Sequence, residues 1–333
     1  MEEDRPAPSD DLGSTKISAW QLLGSMTRIS CFLVVFSIVH YGMVPLVTVP
    51  MLSSTPNDPA LAFPITLDGV RCSAADLQLC VATTNNNDSS CCKSVAKAST
   101  PSASVPTIQL FVLSTLLPLV IIGGVSAASK PSCMTSFLRD AEGIILSLAL
   151  LLATVELAKK AAGRPRPFYL ALSAYCDAMD ASAAAGSQWQ QNAAAERLSM
   201  MDDARASFPS GHAGIAFQGM TYLSLRLVKE TPRVWAALSG QFAFDTAPSS
   251  VVDAVSRGCA GRTAWLLWFL ICLVPFSLSC YISGTRLIDF WHNYADVVTG
   301  ALLGAFVATV TFVFQEAEAI FQKQKSTLTT KVV

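Results

Sequence analysis

The chain has 333 residues, of which 52% are hydrophobic and only 14% charged, and its formal net charge is −1. A soluble domain of average composition carries roughly a quarter charged residues, so this deficit indicates a protein whose solvent is largely lipid. The near-neutral charge offers no bulk attraction for nucleic acid, which we therefore exclude as a partner.

The N-terminal segment 1–25 is polar, opens on Met1-Glu2-Glu3-Asp4, and is expected to be a disordered tail. A 21-residue apolar run follows it at Ile29–Val49. An acidic start before so long a run favours a retained membrane span over a cleaved signal peptide.

Six apolar runs approach the length of about 20 residues that a helix needs to cross the hydrocarbon core of a bilayer. We therefore predict an all-α membrane protein in which six transmembrane helices form one bundle over residues 26–315, with 316–333 as a tail. The third and fourth runs are shorter than the others. The six runs are Ile29–Val49, Ile108–Ala127, Gly143–Ala158, Ala213–Val228, Ala264–Ser283 and Tyr294–Phe314.

The distribution of basic residues predicts the orientation of these spans. Six spans place both termini on one side, and that side carries thirteen of the 23 Lys and Arg residues, against ten on the other. Three of those ten are assigned below to phosphate binding, which leaves seven. Because cytoplasmic segments carry the excess of Lys and Arg, we expect both termini in the cytosol.

The segment 50–107 after the first span holds four cysteines and the glycosylation sequon Asn87-Asp88-Ser89. Clustered cysteines beside a sequon indicate an oxidising lumen or the cell exterior. The pairing stays open, because four cysteines allow three connectivities. Free thiols and a chance sequon remain the alternative, and a zinc site is disfavoured because the segment has no histidine. The cysteines are Cys72, Cys80, Cys91 and Cys92.

A first cluster of polar residues follows the third span, where Lys159 and Arg166 are seven positions apart. A continuous helix would place both on one face, but Pro165 and Pro167 should break the helix and bend Arg166 back. Arginine can hold a phosphate bidentately and lysine as a point charge. Basic residues beside a span are also common interfacial anchors, so this cluster is weak evidence by itself.

A second cluster, Ser207-Phe208-Pro209-Ser210-Gly211-His212, directly precedes the fourth span. Ser210 is a suitable N-cap, and the free amides of a helix start form an anion site. Gly211 lets the backbone approach a ligand, and His212 at the membrane boundary could donate a proton. A plain capping turn with an interfacial histidine is the alternative.

The third cluster joins spans five and six and contains Arg286, His292 and Asp296. His292 and Asp296 are four positions apart, so on one helix the carboxylate could hydrogen-bond the imidazole. That bond would fix the tautomer and leave the other ring nitrogen as a nucleophile. Arg286 could neutralise phosphate charge. The alternative is a rim of charged side chains that only anchors the span ends.

Taken together, the clusters resemble the type 2 phosphatidic acid phosphatases, or lipid phosphate phosphatases, in particular their eukaryotic branch. The family pattern is Lys-x6-Arg-Pro, then Pro-Ser-Gly-His, then Ser-Arg-x5-His-x3-Asp. The resemblance covers about residues 20–315. Thr285 stands where the family has serine, and the connection 229–262 is longer than usual. The stretch 168–207 could form a cap over the site or be disordered.

The resemblance implies a metal-independent, cofactor-free phosphatase that acts on lipid phosphates such as phosphatidic acid. In that family, His292 would form a phosphohistidine, Asp296 would orient it and His212 would protonate the leaving oxygen. Lys159, Arg166 and Arg286 would compensate the negative charge of the phosphoryl group, as magnesium does in other enzymes. The implied phosphate-binding residues are Lys159, Arg166, Ser210, Gly211 and Arg286.

Several alternatives remain at this point. The motifs bind phosphate rather than the lipid tail, so polyprenyl diphosphates or sphingoid phosphates could be substrates. A lipid phosphotransferase uses similar chemistry, and a catalytically silent scaffold would be expected to lack one of these residues. A transporter would carry charged residues near mid-bilayer, whereas the charged residues here cluster at the ends of the spans, which disfavours that interpretation. The predicted orientation places the site at the luminal or extracellular edge of the plasma membrane or an endomembrane, and a homo-oligomer stays possible.

Overall fold

The computed structural model describes residues 63–67, 70–82, 102–128, 133–184, 200–242 and 251–332. The predicted tail 1–25, the predicted first span Ile29–Val49 and the sequon at Asn87 lie outside these residues.

The described part of the chain consists of helices, their connections and one short hairpin. The all-α prediction is therefore confirmed except for this hairpin. In the hairpin, β1 (Ile65–Leu67) pairs antiparallel with β2 (Val70–Cys72). A π-helical turn at Val112–Leu116 joins α2 to α3. The helices are α1 (Ala74–Ala82), α2 (Thr107–Phe111), α3 (Leu117–Ala128), α4 (Cys133–Ala162), α5 (Tyr169–Ala184), α6 (Gly211–Phe242), α7 (Val251–Ile288) and α8 (Tyr294–Val332).

Four helical stretches in the described residues are long and apolar enough to cross a membrane, which makes the chain an integral membrane protein. They coincide with the predicted second, third, fifth and sixth spans. The predicted tail 316–333 continues α8 without a break as far as Val332. The four stretches are Thr107–Ala127, Met134–Ala162, Leu266–Ile288 and Tyr294–Gln322.

The predicted fourth span, Ala213–Val228, is helical as part of α6 but is not among the four apolar stretches. The reason lies in its position, because α6 contacts α3, α4, α7 and α8 and is the central helix of the bundle. A helix enclosed by other helices can carry polar side chains when these find partners within the protein. Gln218, for example, donates to the Ser147 hydroxyl at 2.6 Å.

The packing of α6 against α8 depends on glycine. A Cβ on Gly300 would overlap the carbonyl oxygen of Ser210, and one on Gly304 would overlap that of Gly214. Small residues let membrane helices approach closely. The start of α8 is thereby held against the start of α6, where the second and third polar clusters lie.

An ionic network with a buried centre joins α4, α6 and α8 at the opposite end of the bundle. Arg226 is 2% exposed, donates to Asp140 at 2.7 Å and also pairs with Glu230 one turn away. Lys229 pairs with Glu316 at 2.5 Å. Arg226 is fifteen positions from Gly211, or about 22 Å along α6, so this network is separate from the site described below.

The hairpin and α1 pack on α5 in a small apolar cluster that includes Ile65, Leu77 and Tyr175. The first half of the stretch between Phe168 and Ser207 is therefore helix rather than a disordered segment. Cys72 is disulfide-bonded, and among the cysteines whose side chains the structure describes, Cys272 and Cys280 are free thiols. The side chains of Cys80, Cys91 and Cys92 lie outside the described residues, so the pairing stays a prediction.

Candidate active site

The end of α4 brings the first cluster to the second. The helix stops at Ala162, and Gly163 takes the left-handed conformation (φ 53°) that glycine adopts without steric cost. Lys159, in the last turn, places its Nζ 3.9 Å from the point that a Cβ on Gly211 would occupy. Because Arg166 follows this turn, it bends back from the helix as predicted.

Buried contacts hold Arg166 in place at 5% exposure. Its Nε donates to the Asp203 carbonyl at 2.8 Å, and its Nη2 to the Asp203 carboxylate at 2.6 Å. The guanidinium lies over the Trp291 ring at 4.6 Å from the centroid, within cation–π range. The side chain is therefore fixed by the 200–207 segment on one side and by the turn before α8 on the other.

Ser210 caps α6, as predicted. The helix begins at Gly211, and the Ala213 amide lies 3.5 Å from the Ser210 hydroxyl, the N-cap to N3 contact. The Ser210 amide donates to the main-chain carbonyl of Asp296 at 3.0 Å. This bond joins the Pro-Ser-Gly-His turn, residues 209–212, directly to the first turn of α8.

A tight turn reverses the chain between α7 and α8. Phe290 has φ 58°, a conformation uncommon for a residue with a side chain, and its ring stacks on Phe63 of the hairpin segment at 4.7 Å. The amides of Trp291 and His292 both donate to the Arg286 carbonyl, at 3.0 and 3.3 Å. The turn therefore sets His292 beside the 200–207 segment, ahead of the helix that follows.

The protonation of His292 follows from its main contact. Its Nδ1 lies 2.7 Å from the main-chain carbonyl oxygen of Ser207. A carbonyl can only accept a hydrogen bond, so Nδ1 carries the proton and Nε2 carries the lone pair. His292 is 5% exposed. The geometry thus leaves Nε2 as an unprotonated ring nitrogen of fixed orientation.

The predicted hydrogen bond between His292 and Asp296 is wrong. Because α8 begins at Tyr294, His292 precedes the helix and the spacing of four positions does not place the two side chains together. Asp296 instead accepts a hydrogen bond at 2.9 Å from the amide of Asn293, the N-cap residue of α8, as in a capping box. Its carboxylate also accepts from the Ser207 hydroxyl at 2.6 Å and from Arg164 Nη1 at 2.8 Å.

Two of these contact residues have no role in the sequence prediction. Ser207 links Asp296 to His292, since its hydroxyl donates to the carboxylate and its carbonyl accepts from the imidazole. Arg164 pairs with the carboxylate, which is fully buried. Ser207 opens the second cluster and Arg164 lies between Lys159 and Arg166 of the first, but spacing along the chain gives no sign of contacts that span 89 and 132 positions.

The electrostatics of the site keep both histidines neutral. Burial, together with repulsion from nearby cations and Arg286 above all, lowers the pKa of His212 to about 3. Burial and the charge of Arg166 likewise hold the pKa of His292 well below its usual value. Burial also lowers the pKa of Arg166, which is partly offset by Asp203. A bound phosphate dianion would oppose this repulsion and favour protonation of His212.

All eight predicted site residues thus meet at one end of the bundle. A comparison with known protein families matches residues 142–319 to the PAP2 superfamily, which is more than half of the chain. The chain belongs to the PAP2 superfamily. This confirms the resemblance to the type 2 phosphatidic acid phosphatases, and the matched range contains every one of the eight residues.

Curated relatives of this superfamily member point the same way. It is 30% identical over 211 residues to Lipid phosphate phosphatase 1 of Arabidopsis thaliana, covering 62% of this chain and 54% of the relative. It is 25% identical over 222 residues to a PA-phosphatase related-family protein of Dictyostelium discoideum, covering 67% of this chain and 64% of the relative.

A third relative is “Probable diacylglycerol pyrophosphate phosphatase 1” of Schizosaccharomyces pombe, 25% identical over 216 residues, covering 62% of this chain and 64% of the relative. The matches therefore span between about half and two thirds of the length of these relatives. No solved structure matches the chain significantly.

Proposed function

We propose that this chain is a membrane-embedded phosphatase that hydrolyses phosphomonoesters of lipids, such as phosphatidic acid, through a phosphohistidine intermediate. The observation that carries the proposal is the environment of His292. Its Nδ1 is bonded to the Ser207 carbonyl, which leaves Nε2 as a nucleophile in a pocket whose charge is dominated by Arg166 and Lys159. Membership of the superfamily and the names of the relatives support it.

In the proposed first step, His292 Nε2 attacks the phosphorus in line and the bond from phosphorus to the lipid oxygen breaks. Lys159, Arg166 and Arg286 compensate the charge on the phosphoryl oxygens. His212 gives a proton to the departing lipid oxygen. In the second step, a water molecule that loses its proton to His212 attacks phosphorus, and the bond between nitrogen and phosphorus breaks to release phosphate.

The free amides at the start of α6 contribute to phosphate binding in this scheme. Gly211 is the first residue of α6, where the helix dipole favours an anion. The Ser210 hydroxyl is positioned by its capping role. Asp296 acts through Ser207 as a positioning residue, because its carboxylate has no hydrogen bond to the His292 imidazole.

The direct test uses the purified chain in detergent micelles with phosphatidate as substrate and measures free phosphate. His292→Ala should abolish turnover and the acid-labile phosphoryl-enzyme, and full activity in this variant would remove the nucleophile assignment. Removal of a general acid costs about 10²–10⁴ in rate, so His212→Ala should retain measurable turnover of substrates with good leaving groups.

We also propose that the reaction needs no metal, because the three cations can supply the charge compensation that magnesium supplies elsewhere. Turnover should persist in EDTA. Strong inhibition that added magnesium reverses would contradict this part of the proposal.

The preferred substrate is a separate question, because the described contacts concern the phosphate group. A panel of phosphatidate, diacylglycerol pyrophosphate, polyprenyl diphosphates and sphingoid phosphates, assayed for free phosphate, would rank them. Transfer of the phosphoryl group to a second lipid without free phosphate would indicate a phosphotransferase instead.

The orientation proposed from the sequence places six spans with both termini in the cytosol and the site at the luminal or extracellular edge. In this orientation Asn87 and the disulfide of Cys72 share the side of the site. A glycosidase-sensitive mobility shift that Asn87→Gln abolishes would support this arrangement, and labelling of an Asn87→Cys variant by a membrane-impermeant thiol reagent only from the cytosolic side would contradict it.

A further inference from the structure

The segment immediately before α2 forms one wall of the site. We call residues 102–106 the strap. Val105 of the strap is 5% exposed and packs with Leu110 and Ile282. Its carbonyl accepts a hydrogen bond from Arg286 Nη2 at 3.1 Å. The Val105 backbone also lies beside the His212 imidazole, where it favours the protonated ring.

Asp289 fastens the strap. One carboxylate oxygen accepts from the Ser104 amide at 2.8 Å and the other from the Ser104 hydroxyl at 2.6 Å. The first oxygen also lies 3.3 Å from Arg286 Nη2. A second fastening comes from Trp291, whose Nε1 donates to the Ser102 carbonyl at 3.3 Å. Asp289 thus joins two parts of the chain that are 185 positions apart.

From these contacts we infer that Asp289 is a positioning residue: by holding the strap, it keeps the Val105 carbonyl, to which Arg286 donates, in place beside the proton donor His212. This inference rests on the proposed function, since it assigns a consequence to the protonation step. Asp289 itself touches no reacting atom. Its side chain is 13% exposed and its charge is largely engaged by Arg286 and Ser104.

The consequence should depend on the leaving group. A lipid alkoxide needs a proton as it departs, whereas a nitrophenolate leaves readily without one. If the strap shifts, the His212 ring loses the backbone group that favours its protonated form, and a displacement of about 1 Å can cost on the order of 10²-fold in rate. A residue that merely stabilised the fold would change both reactions by the same factor.

The experiment compares the wild type, Asp289→Ala and Asp289→Asn on phosphatidate and on p-nitrophenyl phosphate, in micelles. Asp289→Ala should lower kcat for phosphatidate by about 10-fold or more and kcat for the aryl phosphate by less than about 3-fold. Asp289→Asn retains one acceptor oxygen for Ser104, so its kcat for phosphatidate should fall between those of the wild type and Asp289→Ala. Asp202→Ala removes an equal charge from an exposed side chain near the site and should match the wild type.

Two results would overturn the inference while leaving the proposed function intact: equal losses on both substrates, or no loss on either. A wild type that releases phosphate from neither substrate would overturn the proposed function and the inference together. If Asp289→Ala does not fold, Asp289→Asn and Ser104→Ala carry the test, with a smaller loss expected on phosphatidate alone.

Discussion

Arg164 Nη1 lies 2.8 Å from Asp296 Oδ1, and this pair joins the end of α4 to the first turn of α8. The carboxylate is fully buried, whereas the arginine side chain is 42% exposed. Because Ser207 holds the other carboxylate oxygen, the negative charge of Asp296 is shared between a cation and a hydroxyl, and the imidazole of His292 is oriented by a main-chain carbonyl.

Arg164→Ala should lower both stability and turnover. Asp296 would keep its bonds to Ser207 and Asn293 but lose its charged partner, at a cost of about 1.5 kcal/mol, the low end for a bond to a charged group, because Arg164 is partly solvated. Thermal unfolding in detergent and phosphate release measure the two effects. Arg205→Ala, which removes an exposed cation bonded to Tyr169, is the control. Equal behaviour of the two variants would contradict a role for the pair.

Ser207→Ala should reduce turnover about 10-fold, which corresponds to the loss of one hydrogen bond to a charged group. The main-chain carbonyl remains in this variant, so His292 keeps its tautomer and the loss should be far smaller than that of His292→Ala. Ser224→Ala removes a hydroxyl that bonds the Cys272 carbonyl, away from the site, and should leave turnover unchanged. A loss as complete as that of His292→Ala would show that the hydroxyl itself is required for the chemistry.

Gly300→Ala should impair folding and turnover together. The added methyl group would overlap the Ser210 carbonyl and push α8 away from the turn that carries His212. The matched control is Gly124→Ala in α3, where a Cβ meets nothing within 4 Å and alanine should stabilise the helix by about 0.5–1 kcal/mol. Unfolding midpoints of the two variants should therefore move in opposite directions. A Gly300→Ala protein as stable as the wild type would show that the helices can separate without cost.

The neutral histidines predict how stability depends on pH. His212 has a pKa of about 3 in the folded protein and about 6.5 in an unfolded chain. Below pH 6.5 the unfolded state therefore binds more protons, and the stabilisation present above pH 6.5 is lost as the pH falls toward 3. His212→Gln should lose less stability than the wild type between pH 7 and pH 4, as measured by unfolding midpoints. Parallel pH curves for the two proteins would contradict the lowered pKa.

The sequence predicts the site in outline because its residues lie at helix ends. Ser210 caps α6 and Arg166 bends back after Gly163 because local chemistry, a capping hydroxyl and helix-breaking residues, decides both. The contact of Ser207 with His292 is beyond such reasoning, since it forms between two loops whose approach depends on the packing of α6 against α8. The error over Asp296 has a similar origin, because the start of α8 at Tyr294 decides which side chains the helix aligns.

The position of α6 also explains why this helix is less apolar than the four spanning stretches. A run such as Leu266–Ile288 faces lipid and must be apolar, whereas α6 faces its neighbours. Gln218 and Arg226 can therefore lie within it, each bonded to a residue of α4. The composition of a single segment does not reveal whether its surroundings are lipid or protein.

The buried pairing of Arg226 with Asp140 has a consequence for biogenesis. An arginine at the centre of a transmembrane helix adds about 2.5–3.5 kcal/mol to the apparent cost of entering the bilayer through the translocon, and one near the end of a span, as Arg226 is, adds less. Since α6 also carries Lys229 and Glu230, it should enter poorly by itself and should insert together with α4, which is synthesised before it and carries Asp140. Lys229 of α6 finds its counter-charge at Glu316 of α8, which is synthesised after α6 and α7, so this second ion pair should form only once α8 has emerged from the ribosome.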